Sequence, residues 1–124
     1  MVKLVYCIHR HQSLSPEEFR RYWLEEHGPL VRSVAGAIGA VRYVQSHTTA
    51  PEVNEVLRAS RGSEEPYDGV TEVWWASLAD LEAGMGTAEG QDAQRRLLDD
   101  ESTFIDFARS RVFMTEEQVI FDAA

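Results

Sequence analysis

The 124-residue chain has one cysteine, four prolines and a shortage of positive charge. Because Cys7 has no second cysteine to bond, an internal disulfide is excluded and a reducing compartment, the cytoplasm, is expected. Twelve basic against 21 acidic residues give a net charge of −9, which argues against nucleic acid or an anionic membrane as a partner. No apolar run approaches the roughly 20 residues that a membrane helix needs. Residues 1–8 lack the charged start, the long apolar segment and the small-residue cleavage site of a signal peptide.

Cofactor-binding motifs are also missing from the sequence. There is no glycine-rich phosphate loop, and the spacing of Gly84, Gly86 and Gly90 is wrong for one and follows a helical pattern. No cofactor is therefore expected. The hydrophobic fraction of 44% is enough for a core, and the length fits a single domain over residues 1–124.

The clearest local signal is a helix over residues 16–27. Ser15 is suited to the N-cap and Pro16 to the first helical position, while Glu18 completes a capping box with Ser15. Gly28 and Pro29 predict the end of this helix.

One face of that helix carries an aromatic stripe with a histidine. Phe19, Tyr22, Trp23 and His27 follow the i, i+3, i+4, i+8 spacing of a shared helix face. A histidine in the last turn of such a stripe indicates either packing or chemistry.

Four segments have the composition of strands: residues 2–9, 41–48, 69–76 and 111–115. A second helix begins after Ser77, breaks near Gly84 and restarts at Thr87. The sequence of residues 49–67 predicts a short helical turn followed by an exposed loop. The resulting order β-α-β-β-α-β is the ferredoxin-like α+β arrangement, an antiparallel sheet with two helices on one face.

The other face of this sheet would carry bulky apolar groups from the first and third strands. Large exposed apolar patches are disfavoured in a soluble monomer. We therefore expect a second copy to cover this face, which gives a homodimer.

Several segments together resemble the EthD family. They are the pattern Phe19-x-x-Tyr22-Trp23-x-x-x-His27-x-Pro29-Leu30 and residues 67–75, 104–106 and 113–117, so the resemblance spans nearly the whole chain. It implies a dimeric α+β barrel, with a histidine at the position of His27 beside the cavity. That wider group includes polyketide cyclases, lactone isomerases, cofactor-free oxygenases, decarboxylases and proteins with no established activity.

A cavity roofed by helices would be lined by aromatic residues, for which the candidates are Tyr6, Trp23, Tyr43 and either Trp74 or Trp75. His27 is the leading catalytic candidate, since imidazole acts as acid or base at neutral pH. The alternative is that His27 bonds a carbonyl at the helix end. Tyr43 is a candidate donor of a phenolic proton, although most strand tyrosines only pack.

Glu72 is a carboxylate in the middle of an apolar strand. If buried, it needs a donor, such as Arg42 or His27, or a proton. A catalytic role is one interpretation, and an inter-strand or dimer-interface ion pair is the favoured alternative.

His9 and His11 form a short Cys-x-His-x-His string with Cys7. Zinc binding is one interpretation, but no second ligand cluster has the usual spacing, so a solvated loop is favoured and no metal site is predicted. His9 and His47 remain candidates for ligand contact at strand ends.

Two functional hypotheses follow. One is cofactor-independent proton transfer on a small, hydrophobic, oxygenated molecule, leading to cyclisation, isomerisation, decarboxylation or reaction with oxygen. The other is a non-catalytic ligand-binding or accessory protein of a catabolic or biosynthetic pathway. A third, plainer outcome is a cavity filled by side chains in a purely structural dimer.

Overall fold

Four strands and five helices make up the computed structural model, which describes residues 1–124. The strands are β1 Val2–Ile8, β2 Arg42–His47, β3 Gly69–Trp75 and β4 Arg111–Thr115. The helices are α1 Pro16–Tyr22, α2 Gly28–Ile38, α3 Pro51–Arg61, α4 Leu78–Gly86 and α5 Ala88–Phe104, with a π-helical turn at Trp23–His27 and a 3-10 turn at Phe107–Arg109. None of these helices combines the length and the apolar character that crossing a membrane demands.

The strands form one antiparallel sheet in the order β2-β3-β1-β4. Its inner face packs against α1, α2, α4 and α5, and its outer face has no helix. The predicted ferredoxin-like α+β fold is therefore confirmed. Directly paired residues share a face, so the register Tyr6↔Thr71 belongs to the inner face and Val5↔Glu72 to the outer face.

The first helix begins as the sequence predicts but does not end there. Ser15 and Glu18 form the reciprocal capping box, with the Ser15 hydroxyl 3.1 Å from the Glu18 amide nitrogen. The predicted end at Gly28 and Pro29 is wrong, because α2 continues directly from the π turn. The Gly28 amide bonds to the Trp23 carbonyl across this turn, and Pro29, which has no amide hydrogen to donate, is the second residue of α2.

Two other boundaries are corrected. The helical turn expected within residues 49–67 is a three-turn helix, α3, which begins at Pro51. The stretch after Pro29 is helical, so Gly36 lies inside α2, and Gly39 ends that helix with a left-handed φ of 76°. The N-caps Ser77 of α4 and Thr87 of α5 agree with the sequence prediction.

Two clusters of buried side chains stand between the inner face and the helices. One contains Ile8, Phe19, Trp23, Phe104 and Ile105. The other contains Val34, Ile38, Val73, Trp75 and Ala93. Members of both clusters line a common cavity, so the layer between sheet and helices is packed at two places and open between them.

Candidate functional site

The open region is a cavity of about 760 Å³ between the inner face and the helices. This volume suits a small organic ligand. Most of its wall is aliphatic or aromatic, and Trp75 forms part of it while donating its indole N–H to the Ile38 carbonyl at 2.8 Å. The polar side chains in the wall are Tyr6, His27, Tyr43, Thr71, Gln91, Gln94, Arg95 and Glu101.

His27 lies in the cavity wall and is 5% exposed. Its Nδ1 is 2.7 Å from Oδ2 of Asp100 on α5, and its Nε2 has no hydrogen-bond partner in the protein. Because an ionised carboxylate only accepts hydrogen bonds, Asp100 fixes the proton on Nδ1. The unprotonated Nε2 of the neutral ring is then left available as a base.

Asp100 connects α5 to the first helix through two side chains. Its Oδ1 accepts a hydrogen bond from the Tyr22 hydroxyl while Oδ2 holds His27. The Phe104 ring, one turn further along α5, packs at 4.9 Å from the His27 ring. The imidazole is therefore held on two sides, which restricts it to one orientation.

The environment of His27 favours its neutral form. Burial lowers the pKa of His27 from its ordinary value of 6.5, and the hydrogen bond and charge of Asp100 oppose this shift only in part. The group is thus uncharged at neutral pH, as a general base must be.

A second set of hydrogen bonds is centred on Gln45 of β2. Its Nε2 donates to the Trp23 carbonyl at 2.7 Å and to the Tyr43 hydroxyl at 3.0 Å, while its Oε1 is 2.8 Å from Nε2 of His47. The Tyr43 hydroxyl accepts a hydrogen bond from Gln45, and the Thr71 side chain lies against it in the same wall. Because Gln45 occupies it as an acceptor, the phenolic proton is left to point either to Thr71 or to a ligand in the cavity.

Two predicted site residues lie elsewhere. Glu72 and Trp74 are on the outer face, because their register partners Val5 and Arg42 are there, and neither lines the cavity. Glu72 instead pairs with Lys3 at 2.6 Å across the strands, which is the inter-strand alternative for this residue.

Trp74 is held on the outer face by polar neighbours. Its indole N–H donates to Oε1 of Glu117 at 2.9 Å, and the Arg42 guanidinium lies 4.7 Å from its ring. Of the two tryptophans left open by the sequence, Trp75 is the one that faces the cavity.

The remaining histidines are apart from His27. The His9 ring packs at a tilt against Tyr67 with the ring centres 4.5 Å apart, and His11 bonds to Ser13 in the loop; neither lines the cavity. His47 stacks on Trp23 at 4.4 Å and lines a neighbouring groove between α2 and β2. No set of three histidine, cysteine or acidic side chains is clustered closely enough to hold a metal ion.

Asp100 and Glu101 belong to the site but were not predicted from the sequence. A signal for Asp100 was present, since Ala93, Leu97, Asp100 and Phe104 follow helical spacing along one face. A carboxylate inside such an apolar stripe requires a buried partner. Glu101, the next residue, lines the cavity beside the Tyr6 hydroxyl.

The family of the chain follows from a comparison with protein-family models. The model of the EthD domain matches residues 11–108, which include the aromatic stripe, His27 and the Asp100–Glu101 pair. The chain belongs to the EthD family. The resemblance inferred from the sequence is thereby confirmed.

Solved structures with the same fold include EthD-family members. An EthD-family protein from Bacillus halodurans superposes with a TM-score of 0.63 at 18% identity, covering 95% of this chain and 99% of that one. An EthD-like protein from Ralstonia eutropha gives a TM-score of 0.58 at 12% identity, with 99% and 97% covered. At these identities the similarity shows the fold alone.

A structure with a described activity shares this fold. SnoaB, a cofactor-independent oxygenase from Streptomyces nogalater, gives a TM-score of 0.55 at 13% identity, covering 98% of this chain and 97% of its own. No curated protein sequence matches this chain. The EthD assignment thus rests on the domain match, and the solved structures agree with it in fold.

Proposed function

We propose that this EthD-family protein binds a hydrophobic, oxygenated small molecule and transfers a proton on it without a cofactor, with His27 as the base. The observation that carries the proposal is the His27–Asp100 pair in the cavity wall, in which Nδ1 is held at 2.7 Å and Nε2 is free. A buried, oriented and neutral imidazole beside an organic-sized cavity is the arrangement that general-base catalysis requires.

The cavity wall supports a ligand that is mainly apolar and carries a carbonyl or hydroxyl oxygen. Tyr43 has a proton to donate, and the Trp23 indole N–H is buried without a partner in the same wall. Abstraction of a proton next to a carbonyl places negative charge on its oxygen, which a donor such as Tyr43 stabilises. The cofactor-independent oxygenase SnoaB, with the same fold, supports the general kind of chemistry.

We propose further that two chains associate through their outer sheet faces. Val5, Cys7 and Val44 are partly exposed there and Phe113 is 51% exposed, while neither buried cluster includes an outer-face residue. A second copy would remove this apolar surface from water.

Deuterium exchange into 2-tetralone, an aromatic ketone with acidic α-hydrogens, tests the proton transfer directly. NMR in D₂O should show faster exchange with the wild-type protein than with buffer. The His27→Ala variant should lose about 100-fold or more of that acceleration, as expected for removal of a general base. The matched control is His11→Ala, which removes a solvent-side histidine outside the cavity and should exchange at the wild-type rate.

Binding of 2-tetralone, measured by calorimetry on the same proteins, separates catalysis from binding. Retained affinity with lost exchange in His27→Ala supports the proton-transfer role. Binding by the wild-type protein without any acceleration of exchange would contradict it and leave a ligand-binding protein.

A further inference from the structure

The mechanism above leaves one cavity-facing carboxyl group unused, that of Glu101. Successive residues on an α-helix point about 100° apart, so Asp100 and Glu101 enter different surroundings. Asp100 is engaged by His27 and Tyr22, whereas Glu101 lines the cavity and makes no ion pair. The two adjacent carboxyl groups therefore have separate tasks.

No cation compensates a charge on Glu101. The one cationic side chain in the cavity wall, Arg95, is largely exposed and pairs with Asp92 outside. The titratable groups that face Glu101 are Tyr6 from β1, Tyr43 from β2 and Asp100 behind it. A carboxylate in a mostly apolar wall with these neighbours is poorly stabilised.

The balance of these surroundings favours the protonated form of Glu101. Burial raises the pKa of Glu101 to about 7, and the charge of Asp100 adds to the shift while the Tyr6 hydroxyl opposes it. Two titratable groups whose environments drive their pKa values in opposite senses are a pattern typical of acid and base partners. His27, with a lowered pKa, and Glu101 form such a pair and both line one cavity.

We propose that Glu101 is the general acid of the cavity and delivers a proton to the ligand oxygen while His27 removes one from the neighbouring carbon. This rests on the proposed function. The α C–H bond breaks and its electron pair forms the enol double bond, as the carbonyl π pair moves to oxygen and takes the Glu101 proton. His27 is left as imidazolium and Glu101 as carboxylate, so the ketone becomes an enol with no change in the total number of protons.

Binding of 4-nitrophenolate tests this assignment, because its yellow anion mimics an enolate and reports its own ionisation by absorbance. At pH 8 the wild-type protein should take up one proton per probe bound. From pH 8 to 9 its affinity for the phenolate should fall about tenfold per pH unit. Glu101→Gln should take up no proton and show no such slope. The matched control, Asp99→Asn, removes an exposed charge from the same helix and should behave as wild type.

A ligand-free measurement covers the case in which the probe does not bind. The side-chain carboxyl ¹³C resonance that disappears in Glu101→Gln should titrate near neutral pH in the wild-type protein. Titration in the range of ordinary glutamates would overturn the proposal, as would equal proton uptake by the wild-type and Glu101→Gln proteins.

The two proposals fail separately. His27→Ala should keep the proton-coupled binding of 4-nitrophenolate even though it loses exchange into 2-tetralone. If the wild-type protein shows no exchange but takes up the proton, the His27 proposal fails and the acidic site at Glu101 stands.

Discussion

At the scale of single residues, the arrangement around His27 depends on Asp100. The carboxylate fixes the proton on Nδ1 and partly offsets the effect of burial on the His27 pKa. Only the neutral ring is a base, so the exchange rate should fall as the pH drops through the lowered pKa of His27, and it should also fall above about pH 7, where Glu101 loses the proton that it donates. The free energy of unfolding should also fall on acidification, because the folded state disfavours protonation of His27 relative to the unfolded chain.

Asp100→Asn provides the corresponding test. Loss of the carboxylate removes the interaction that raises the His27 pKa, so the acid limb of the pH–rate profile for 2-tetralone exchange should move to lower pH. The maximal rate should drop by at least about tenfold, because the ring loses its fixed tautomer. Asp99→Asn serves as the control and should leave the profile unchanged. An unshifted limb in Asp100→Asn would show that Asp100 does not tune His27.

Some of these residues could be predicted from the sequence and others could not. The i, i+8 spacing of Phe19 and His27 indicated a shared face, and the structure places both on the inward side. Glu72 and Trp74 were candidates because both faces of β3 are apolar, and alternation alone does not say which face meets the helices. Glu101 was missed since acidic residues are ordinary on exposed helix faces, and only the packing of α5 turns this one inward.

At the scale of elements, the packing of the π turn against the sheet depends on the close fit of Trp23 over Gly69. Gly69, at the start of β3, leaves space for the indole ring: a Cβ there would lie 2.4 Å from Cζ3 of Trp23 and 2.9 Å from the Ser46 carbonyl oxygen. The ring is fully buried and also stacks on His47, so it has little freedom to move aside.

Gly69→Ala should therefore destabilise the fold by about 1–3 kcal/mol, as overpacking does in a close-packed core. Gly36→Ala is the matched control, since nothing lies within 4 Å of a Cβ at that position in α2, and it should stabilise the fold by about 0.5–1 kcal/mol. Urea unfolding followed by tryptophan fluorescence measures both changes. Equal effects of the two substitutions would contradict this account of the packing.

The starts of the helices were easier to predict from the sequence than the end of the first one. The caps at Ser15, Ser77 and Thr87 are side-chain-to-backbone bonds between neighbours in the chain, so the local sequence contains the whole motif. The end expected at Gly28 was wrong because the π turn has a different hydrogen-bond register. Gln45 from β2 adds a bond to the Trp23 carbonyl at that turn, and this contact comes from a distant part of the chain.

At the scale of the whole molecule, the two faces of the sheet differ in what covers them. Helices cover the inner face and leave the cavity, whereas the outer face carries Phe113 beside a charged group of Lys3, Glu72 and Glu117. The hydrogen bond that Lys3 donates to Glu72 raises the pKa of Lys3, so this ammonium stays charged on the face where we propose the second copy.

Phe113→Asp should convert the proposed dimer into a monomer, because it places a charge within the apolar contact. Sedimentation should give about twice the chain mass of 14.0 kDa for the wild-type protein and the chain mass for the variant. Val53→Asp, a substitution at another exposed apolar position on α3, is the control and should remain dimeric. A monomeric wild-type protein at micromolar concentration would contradict the proposed association.

The π turn at Trp23–His27 has a consequence for the history of the family. Such a turn holds one residue more than the α-helical turn it replaces, which is the geometry that a one-residue insertion in a helix would produce. Removal of one residue between Trp23 and His27 would restore α-helical geometry and rotate everything on one side of it by about 100°. Homologues aligned with a single gap at this place should therefore lack the inward histidine and, with it, the proton transfer that we propose for His27.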